Sequence, residues 1–155
     1  MNLRGTLTTD FFATSMPLKG FEELASAARK AMKNAYAPYS HLRVGAAIVM
    51  EDGETFTGCN VENAVFAATV CAERTAISKA VSQGAKSIRA VVVVSDAEAP
   101  LLPCGICLQT IAEFAMGERT QIVSIGRSGQ SAKFDLGKLF PSGIRVHRTI
   151  RSVTG

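Results

Sequence analysis

The order of apolar and polar positions along the chain predicts helices that alternate with strands. Residues 20–36 place apolar side chains at roughly helical spacing, so we expect an amphipathic helix that ends before Pro38. The stretches 43–50 and 55–61 flank the turn "EDGE" and indicate a β-hairpin. The β-branched run at 88–95 is typical of a buried strand.

The second half of the chain continues this alternation. Residues 70–83 contain few turn formers and predict a second helix, and a third is expected over 104–116. A further strand is indicated at 120–126, and a short helix at 136–140. This order predicts an α/β domain with three layers and a mixed sheet.

Length and composition are those of one ordinary domain. The chain has 155 residues, of which 47% are hydrophobic and 19% charged, enough for a sizeable core. Its apolar runs are far shorter than the roughly 20 residues that cross a bilayer, and the start lacks the apolar core of a secretion signal. We therefore expect an N-terminal extension over residues 1–18, a single domain over 19–155, no membrane association and a cytoplasmic location.

The charge pattern adds little about partners. The net charge is +4, and residues 119–155 hold seven Lys or Arg against one acid, Asp135. These basic residues are scattered and are not interleaved with aromatic pairs. They predict a solvated basic surface, and a nucleic-acid partner is not expected.

The cysteines are the best candidates for chemistry. Cys104 and Cys107 lie three apart at the start of the third helix, so their thiols project to one side, and Cys71 has the same place at the second helix. A helix start favours thiolates. If the two starts meet at one end of the sheet, the three sulfurs form a zinc site with an open fourth position, as in catalytic sites. Such a zinc lowers the pKa of a water molecule from 15.7 to about 7.

Two further residues next to Cys71 fit this interpretation. Glu73 lies two positions on, close enough to shuttle a proton without acting as a ligand. Zn²⁺ bound by three thiolates has a net negative charge, which Arg74, on the same helix face as Cys71, can compensate by donating hydrogen bonds to the sulfurs.

Other interpretations remain open from the residues alone. Cys71 by itself could be a small buried hydrophobe. The CxxC at 104–107 could belong to a thiol–disulfide redox protein, although the preceding Pro103 is not typical of that pattern. A closed structural zinc site with Cys59 as fourth ligand is a third possibility. Neither the redox protein nor the closed zinc site would give Glu73 a role.

The combination Cys71–Ala72–Glu73 and Pro103–Cys104–Gly105–Ile106–Cys107 matches the zinc-deaminase signature. With "PYSHLRVGAA" at 38–47, "FTGCNVENA" at 56–64 and "PCGICLQTIAEF" at 103–114, the chain resembles the homotetrameric, all-cysteine cytidine deaminases that act on free nucleosides. The resemblance implies a three-layer α/β/α fold with a five-stranded mixed sheet, one zinc per chain, a nucleoside substrate and a homotetramer. It also implies hydrolytic deamination of cytidine or deoxycytidine in pyrimidine salvage, in which water attacks C4 while Glu73 protonates N3 and the departing ammonia.

The same resemblance implies roles for substrate contacts. Asn60 and Glu62 match the pair that binds the ribose hydroxyls, and Ala72 matches a position whose backbone helps hold the pyrimidine. Phe66 occupies a place where the family often has tyrosine at a subunit contact.

The chain also departs from the family pattern. Leu42 and Ile144 stand where the family has aromatic rings against the base, and Leu108 replaces a common arginine. An altered base pocket predicts weaker binding of cytidine and leaves a modified or other aminated nucleoside as an alternative substrate. Deamination within RNA is a weaker alternative, suggested by the basic C-terminal segment.

Overall fold

The structure, a computed structural model, describes residues 18–144. None of the helices in this range is long and apolar enough to cross a bilayer. The elements, in chain order, are α1 (Leu18–Met32), β1 (Val44–Met50), β2 (Thr55–Cys59), a short 3₁₀ helix (Phe66–Ala68), α2 (Ala72–Ser82), β3 (Ile88–Ser95), α3 (Gly105–Phe114), β4 (Gln121–Ile125), β5 (Ser131–Asp135) and α4 (Leu136–Leu139).

The five strands form one mixed sheet in the order β2-β1-β3-β4-β5. β3 and β4 run parallel, and the other neighbouring pairs are antiparallel. Parallel neighbours need a crossover connection, which α3 provides between β3 and β4. The mixed sheet expected from the sequence is therefore confirmed.

Helices cover both faces of the sheet. On one face, Leu24 and Ala28 of α1 pack with Val92 of β3 in a buried cluster. On the other face, Ile77 of α2 and Ile111 of α3 belong to a second buried cluster that also includes residues of α4. Burying each large aliphatic side chain contributes about 1.5–3 kcal/mol, so both clusters hold the layers together. The predicted three-layer α/β/α architecture is confirmed.

Two helix ends differ from the prediction. The first helix was expected to continue to residue 36, but α1 ends at Met32 because the backbone N–H of Tyr36 bonds to the carbonyl of Asn60 instead. The third helix was expected to reach residue 116. It ends at Phe114, since Ala115 is extended and bridges to Ile88.

The expected N-terminal extension over residues 1–18 lies outside the described residues except for Leu18, where α1 begins. The described range also stops at residue 144, eleven residues before the end of the expected domain.

A glycine in β2 lets the start of α2 lie directly on the sheet. A Cβ atom added at Gly58 would come within 2.6 Å of the carbonyl oxygen of Ala72 and 2.5 Å of the amide nitrogen of Ala76. Such distances are shorter than atoms tolerate, so any larger residue would push the helix start away. The absence of a side chain at Gly58 therefore determines how close the first residues of α2 lie to the sheet.

Candidate metal centre

Two helix starts deliver three cysteines to one place. Cys71 is the N-cap of α2 and Cys104 is the N-cap of α3, both with extended backbone. Cys107 is the third residue of α3 and is fully buried. α2 and α3 pack against each other on the same face of the sheet, which brings the two starts together.

The three Sγ atoms lie within 4.8 Å of one another. Sulfurs bound to one tetrahedral zinc, with Zn–S distances of about 2.3 Å, are about 3.8 Å apart. The cluster thus has nearly the right spacing, and thiols are donors that zinc prefers. The residues present fit a zinc ion with three protein ligands.

The local environment already favours a thiolate before a metal binds. Hydrogen bonds from the thiols of Cys107 and, more weakly, Cys104, together with the charge of Arg74, lower the pKa of Cys71 to about 6 against the effect of burial. The same contact with Cys71, together with burial, raises the pKa of Cys107. The sulfur of Cys104 accepts a hydrogen bond from the backbone N–H of Cys107 at 3.5 Å. At the start of α3, a backbone N–H group is thus directed at a sulfur of the cluster.

Glu73 lies beside the sulfurs and away from bulk water. It is the second residue of α2, and only 4% of its surface is exposed. Burial, and secondarily the neighbouring Cys71, raise the pKa of its carboxyl group, while a hydrogen bond with Cys107 opposes this rise. A carboxyl group in this environment can hold and release a proton next to the cluster.

Arg74 lies close to the cluster, but its contact differs from the expected one. Its Nη1 donates to the carbonyl oxygen of Thr69 at 3.4 Å, and in the described part of the chain it makes no hydrogen bond to a sulfur. Its charge nevertheless lowers the pKa of Cys71. In this arrangement Arg74 can offset the negative charge of the thiolates through its nearby positive charge, without a hydrogen bond to them.

Cys59 is not part of the cluster. It pairs across the hairpin with Gly45, which faces α1, whereas the thiols of the cluster lie on the side of α2 and α3. Within residues 18–144, the group of cysteine, histidine and acidic residues able to hold a metal consists of Cys71, Cys104 and Cys107. A closed site with Cys59 as fourth ligand does not fit this placement.

Asn60 and Glu62 both contact the loop that precedes β1. The side chain of Asn60, which is buried, accepts from the backbone N–H of Val44 at 2.8 Å and donates to the carbonyl of Leu42 at 2.9 Å. The carboxylate of Glu62 accepts from the backbone N–H groups of Tyr39 and Ser40 at 2.8 and 3.2 Å. These two residues hold the loop, and part of their hydrogen-bonding capacity remains free.

The remaining predicted contact residues differ in exposure. Ala72, the first residue of α2, is fully buried, and Leu42 is half-buried. Phe66 is 74% exposed and touches Tyr39 edge-on, with ring centroids 5.7 Å apart. Ile144 is 66% exposed.

Ile144 is hydrogen-bonded to α3, and Leu108 is a residue of that helix. Two hydrogen bonds join the backbone of Ile144 to the side chain of Gln109, with distances of 2.7 and 3.0 Å. Leu108, where the resembled family often has arginine, packs against the core instead. The C-terminal end of the described chain is thereby fastened next to the helix that carries Cys104 and Cys107.

Sequence reasoning assigned no role to Ser40, yet its hydroxyl connects two predicted contact residues. It donates to Glu62 Oε1 and accepts from the backbone N–H of Leu42 at 3.1 Å. The only signal in the sequence is a serine two positions before Leu42, which is typical of a hydroxyl turn. Its link to Glu62 spans 22 positions and is visible only in three dimensions.

Comparison with known proteins agrees with this geometry. The sequence profile described as "Cytidine and deoxycytidylate deaminase zinc-binding region" matches residues 19–124. The chain is 45% identical to a cytidine deaminase of Sporosarcina psychrophila over 77% of this chain and 88% of that protein. A crystal structure of a cytidine deaminase from Burkholderia pseudomallei superposes with a TM-score of 0.75 and 38% identity, covering 79% of this chain and 98% of the other.

Proposed function

This chain belongs to the cytidine and deoxycytidylate deaminase family, and we propose that it hydrolyses cytidine and deoxycytidine to uridine and deoxyuridine with release of ammonia. The observation that carries the proposal is the meeting of Cys71, Cys104 and Cys107 beside the buried Glu73. These three thiols would hold one Zn²⁺ per chain. When bound, zinc supplies Lewis acidity that makes a water molecule nucleophilic near neutral pH.

The reaction replaces an amino group by an oxygen at one ring carbon. The oxygen of water forms a bond to C4 of the cytosine ring, and the bond between C4 and the amino nitrogen breaks. Glu73 takes a proton from the attacking water and delivers it to N3. It then moves the second proton of that water, now on the oxygen bound to C4, to the amino nitrogen, which leaves as ammonia while C4 becomes a carbonyl carbon. A buried carboxyl group suits this work, since bulk water cannot compete for the protons.

Other residues of the chain stabilise and orient the reactants. The positive ends of α2 and α3 and the nearby charge of Arg74 offset the negative charge of three thiolates. The backbone of Ala72 would lie against the pyrimidine. Asn60 and Glu62 would bind sugar hydroxyls, because both retain unused hydrogen-bonding capacity beside the loop that carries Leu42.

Metal analysis combined with a kinetic assay tests this function. Purified protein is expected to contain about one zinc per chain, as three-ligand catalytic sites do. It should hydrolyse cytidine, seen as loss of cytosine absorbance. Protein without zinc that shows a reversible two-electron thiol couple would support the thiol–disulfide alternative instead. Deamination of an RNA oligonucleotide without deamination of cytidine would support the RNA alternative.

Leu42→Phe is expected to lower KM for cytidine by about three- to tenfold, because aromatic stacking is worth about 0.5–1.5 kcal/mol beyond burial. Leu42 is half-buried in the loop held by Asn60, so a larger side chain can extend toward the base without disturbing the core. The measurement is a panel of cytidine, deoxycytidine and 5-methylcytidine with wild type and variant. Any wild-type preference for the 5-substituted nucleoside should shrink in the variant. Equal kcat/KM for all three, unchanged by the substitution, would show that Leu42 does not close the base pocket.

We further propose that the active form is a homotetramer in the cytoplasm with a role in pyrimidine salvage. Support for assembly comes from apolar side chains that project from the segment before α2, with Val65 and Phe66 65% and 74% exposed. Support for the compartment comes from three unpaired thiols in a site that needs them reduced. Sedimentation of the active enzyme should give four chains per particle. A fully active monomer would contradict the proposed assembly.

A further inference from the structure

The carboxylate of Glu62 accepts three hydrogen bonds from the loop before β1. Glu62 Oε2 accepts the backbone N–H groups of Tyr39 and Ser40, while Oε1 accepts the hydroxyl of Ser40. The Ser40 hydroxyl also accepts the backbone N–H of Leu42 at 3.1 Å. Ser40 therefore connects the carboxylate of Glu62 with the backbone of Leu42.

Counting hydrogen-bond sites shows what remains for a ligand. A carboxylate offers about four acceptor sites, and three of those on Glu62 are used, which leaves one on Oε1. An amide offers two donors and about two acceptor sites, and Asn60 has used one of each. A free acceptor on Glu62 and a free donor on Asn60 match a sugar hydroxyl, which donates one hydrogen bond and accepts another.

The Ser40 hydroxyl determines where this free acceptor points. Its bond to Oε1 takes one of that atom's two acceptor sites and fixes the rotation of the carboxylate. The same hydrogen bond is the main cause that lowers the pKa of Glu62, so the carboxylate is kept in its accepting form. Without the hydroxyl, Oε1 would lose its only recorded partner in the described chain, and the carboxylate could turn about its bonds to Tyr39 and Ser40.

We propose that Ser40 is a positioning residue for nucleoside specificity, which orients Glu62 so that its remaining acceptor meets a hydroxyl of the sugar. This inference rests on the proposed function and adds to it a residue that acts through Glu62. Because the side chain of Ser40 is exposed, its role is not to fill the core. The two backbone bonds to Glu62 Oε2 do not need the side chain and would persist in an alanine variant.

The test compares Ser40→Ala and Ser40→Thr on cytidine and on 2′,3′-dideoxycytidine, which lacks both sugar hydroxyls of the ring. Ser40→Ala is expected to raise KM for cytidine about tenfold with kcat nearly unchanged, since a ground-state and transition-state contact is lost equally. The kcat/KM for dideoxycytidine should change by less than about twofold, because that contact is already missing. Ser40→Thr keeps a hydroxyl and should restore most of the affinity for cytidine.

Ser82→Ala serves as the matched control, because its hydroxyl donates to the backbone carbonyl of Lys79 near the end of α2, away from Glu62. This control should behave as wild type on both nucleosides. An equal loss of kcat/KM on both nucleosides in Ser40→Ala would overturn the positioning role and indicate a general disturbance of the loop. Failure of Ser40→Thr to recover would do the same. A wild-type enzyme inactive on every cytosine nucleoside would instead overturn the proposed function, and this inference with it.

Discussion

Glu73→Gln is expected to lower kcat for cytidine by about 10³–10⁴-fold, toward the upper end of what a positioned proton-transfer group contributes. The amide has nearly the shape of the carboxyl group but cannot take a proton from water or pass it to N3. Glu73 is only 4% exposed, so bulk water has little access to replace it in this task. The measurement is the steady-state rate of cytidine hydrolysis.

The zinc content of Glu73→Gln should stay at wild-type level, because the side chains placed to bind the metal are the three thiols and not this carboxylate. Glu23→Gln is a suitable control, as Glu23 is exposed on α1, on the opposite side of the sheet. It should keep full activity. Turnover in Glu73→Gln within tenfold of wild type, with zinc bound, would show that another group moves the protons.

The central elements of the fold could be predicted because their sequence patterns are strong. Strand β3 occupies the predicted residues 88–95, where a run of β-branched side chains is buried between two layers of helices. The sequence pattern did not predict β5, although the resemblance implied a fifth strand. β5 is a five-residue edge strand whose residues are exposed or only partly buried. Its polar–apolar alternation includes only two apolar residues and no β-branched one, so the signal in the sequence is weak. Its pairing with β4 holds it in place.

The ends of two helices were also predicted wrongly, and the backbone hydrogen bonds show why. The apolar spacing of the first helix continues past Met32, but the carbonyl groups of Asn60 and Ile88 capture backbone N–H groups that a longer α1 and α3 would have used. Such competition comes from residues distant in sequence. Local patterns contain no information about it.

The candidate site was predictable to the extent that local spacing determines it. The thiols of Cys71, Cys104 and Cys107 converge because each occupies a fixed position at a helix start, and those positions can be counted from the sequence. The contacts of Glu62 could not be counted in this way. Its partners Tyr39 and Ser40 precede β1 in the sequence, whereas Glu62 follows β2. Only the folded β-hairpin brings them together.

Cys107→Ser should remove the zinc and with it nearly all activity. Cys107 is the most buried of the three thiols, and its sulfur contacts both Cys71 and the carboxyl group of Glu73. The serine hydroxyl is a poor zinc ligand at neutral pH because, unlike a thiol, it does not ionise readily. We expect zinc to fall from about one per chain to below about 0.1, and kcat/KM to fall by at least about 10³-fold, since the nucleophile is no longer activated.

Cys59→Ser is the matched control for this prediction, since it makes the same chemical change on the opposite face of the sheet. Cys59 lies at the end of β2 beside Gly45 and outside the metal group, so this variant should retain zinc and activity. Zinc loss in Cys59→Ser would support the closed four-cysteine site, in which Glu73 would have no catalytic role. Zinc retained in Cys107→Ser at full occupancy would contradict the three-thiol site itself. Because both variants lose one sulfur atom, the difference in their zinc content measures the effect of position and not of chemistry.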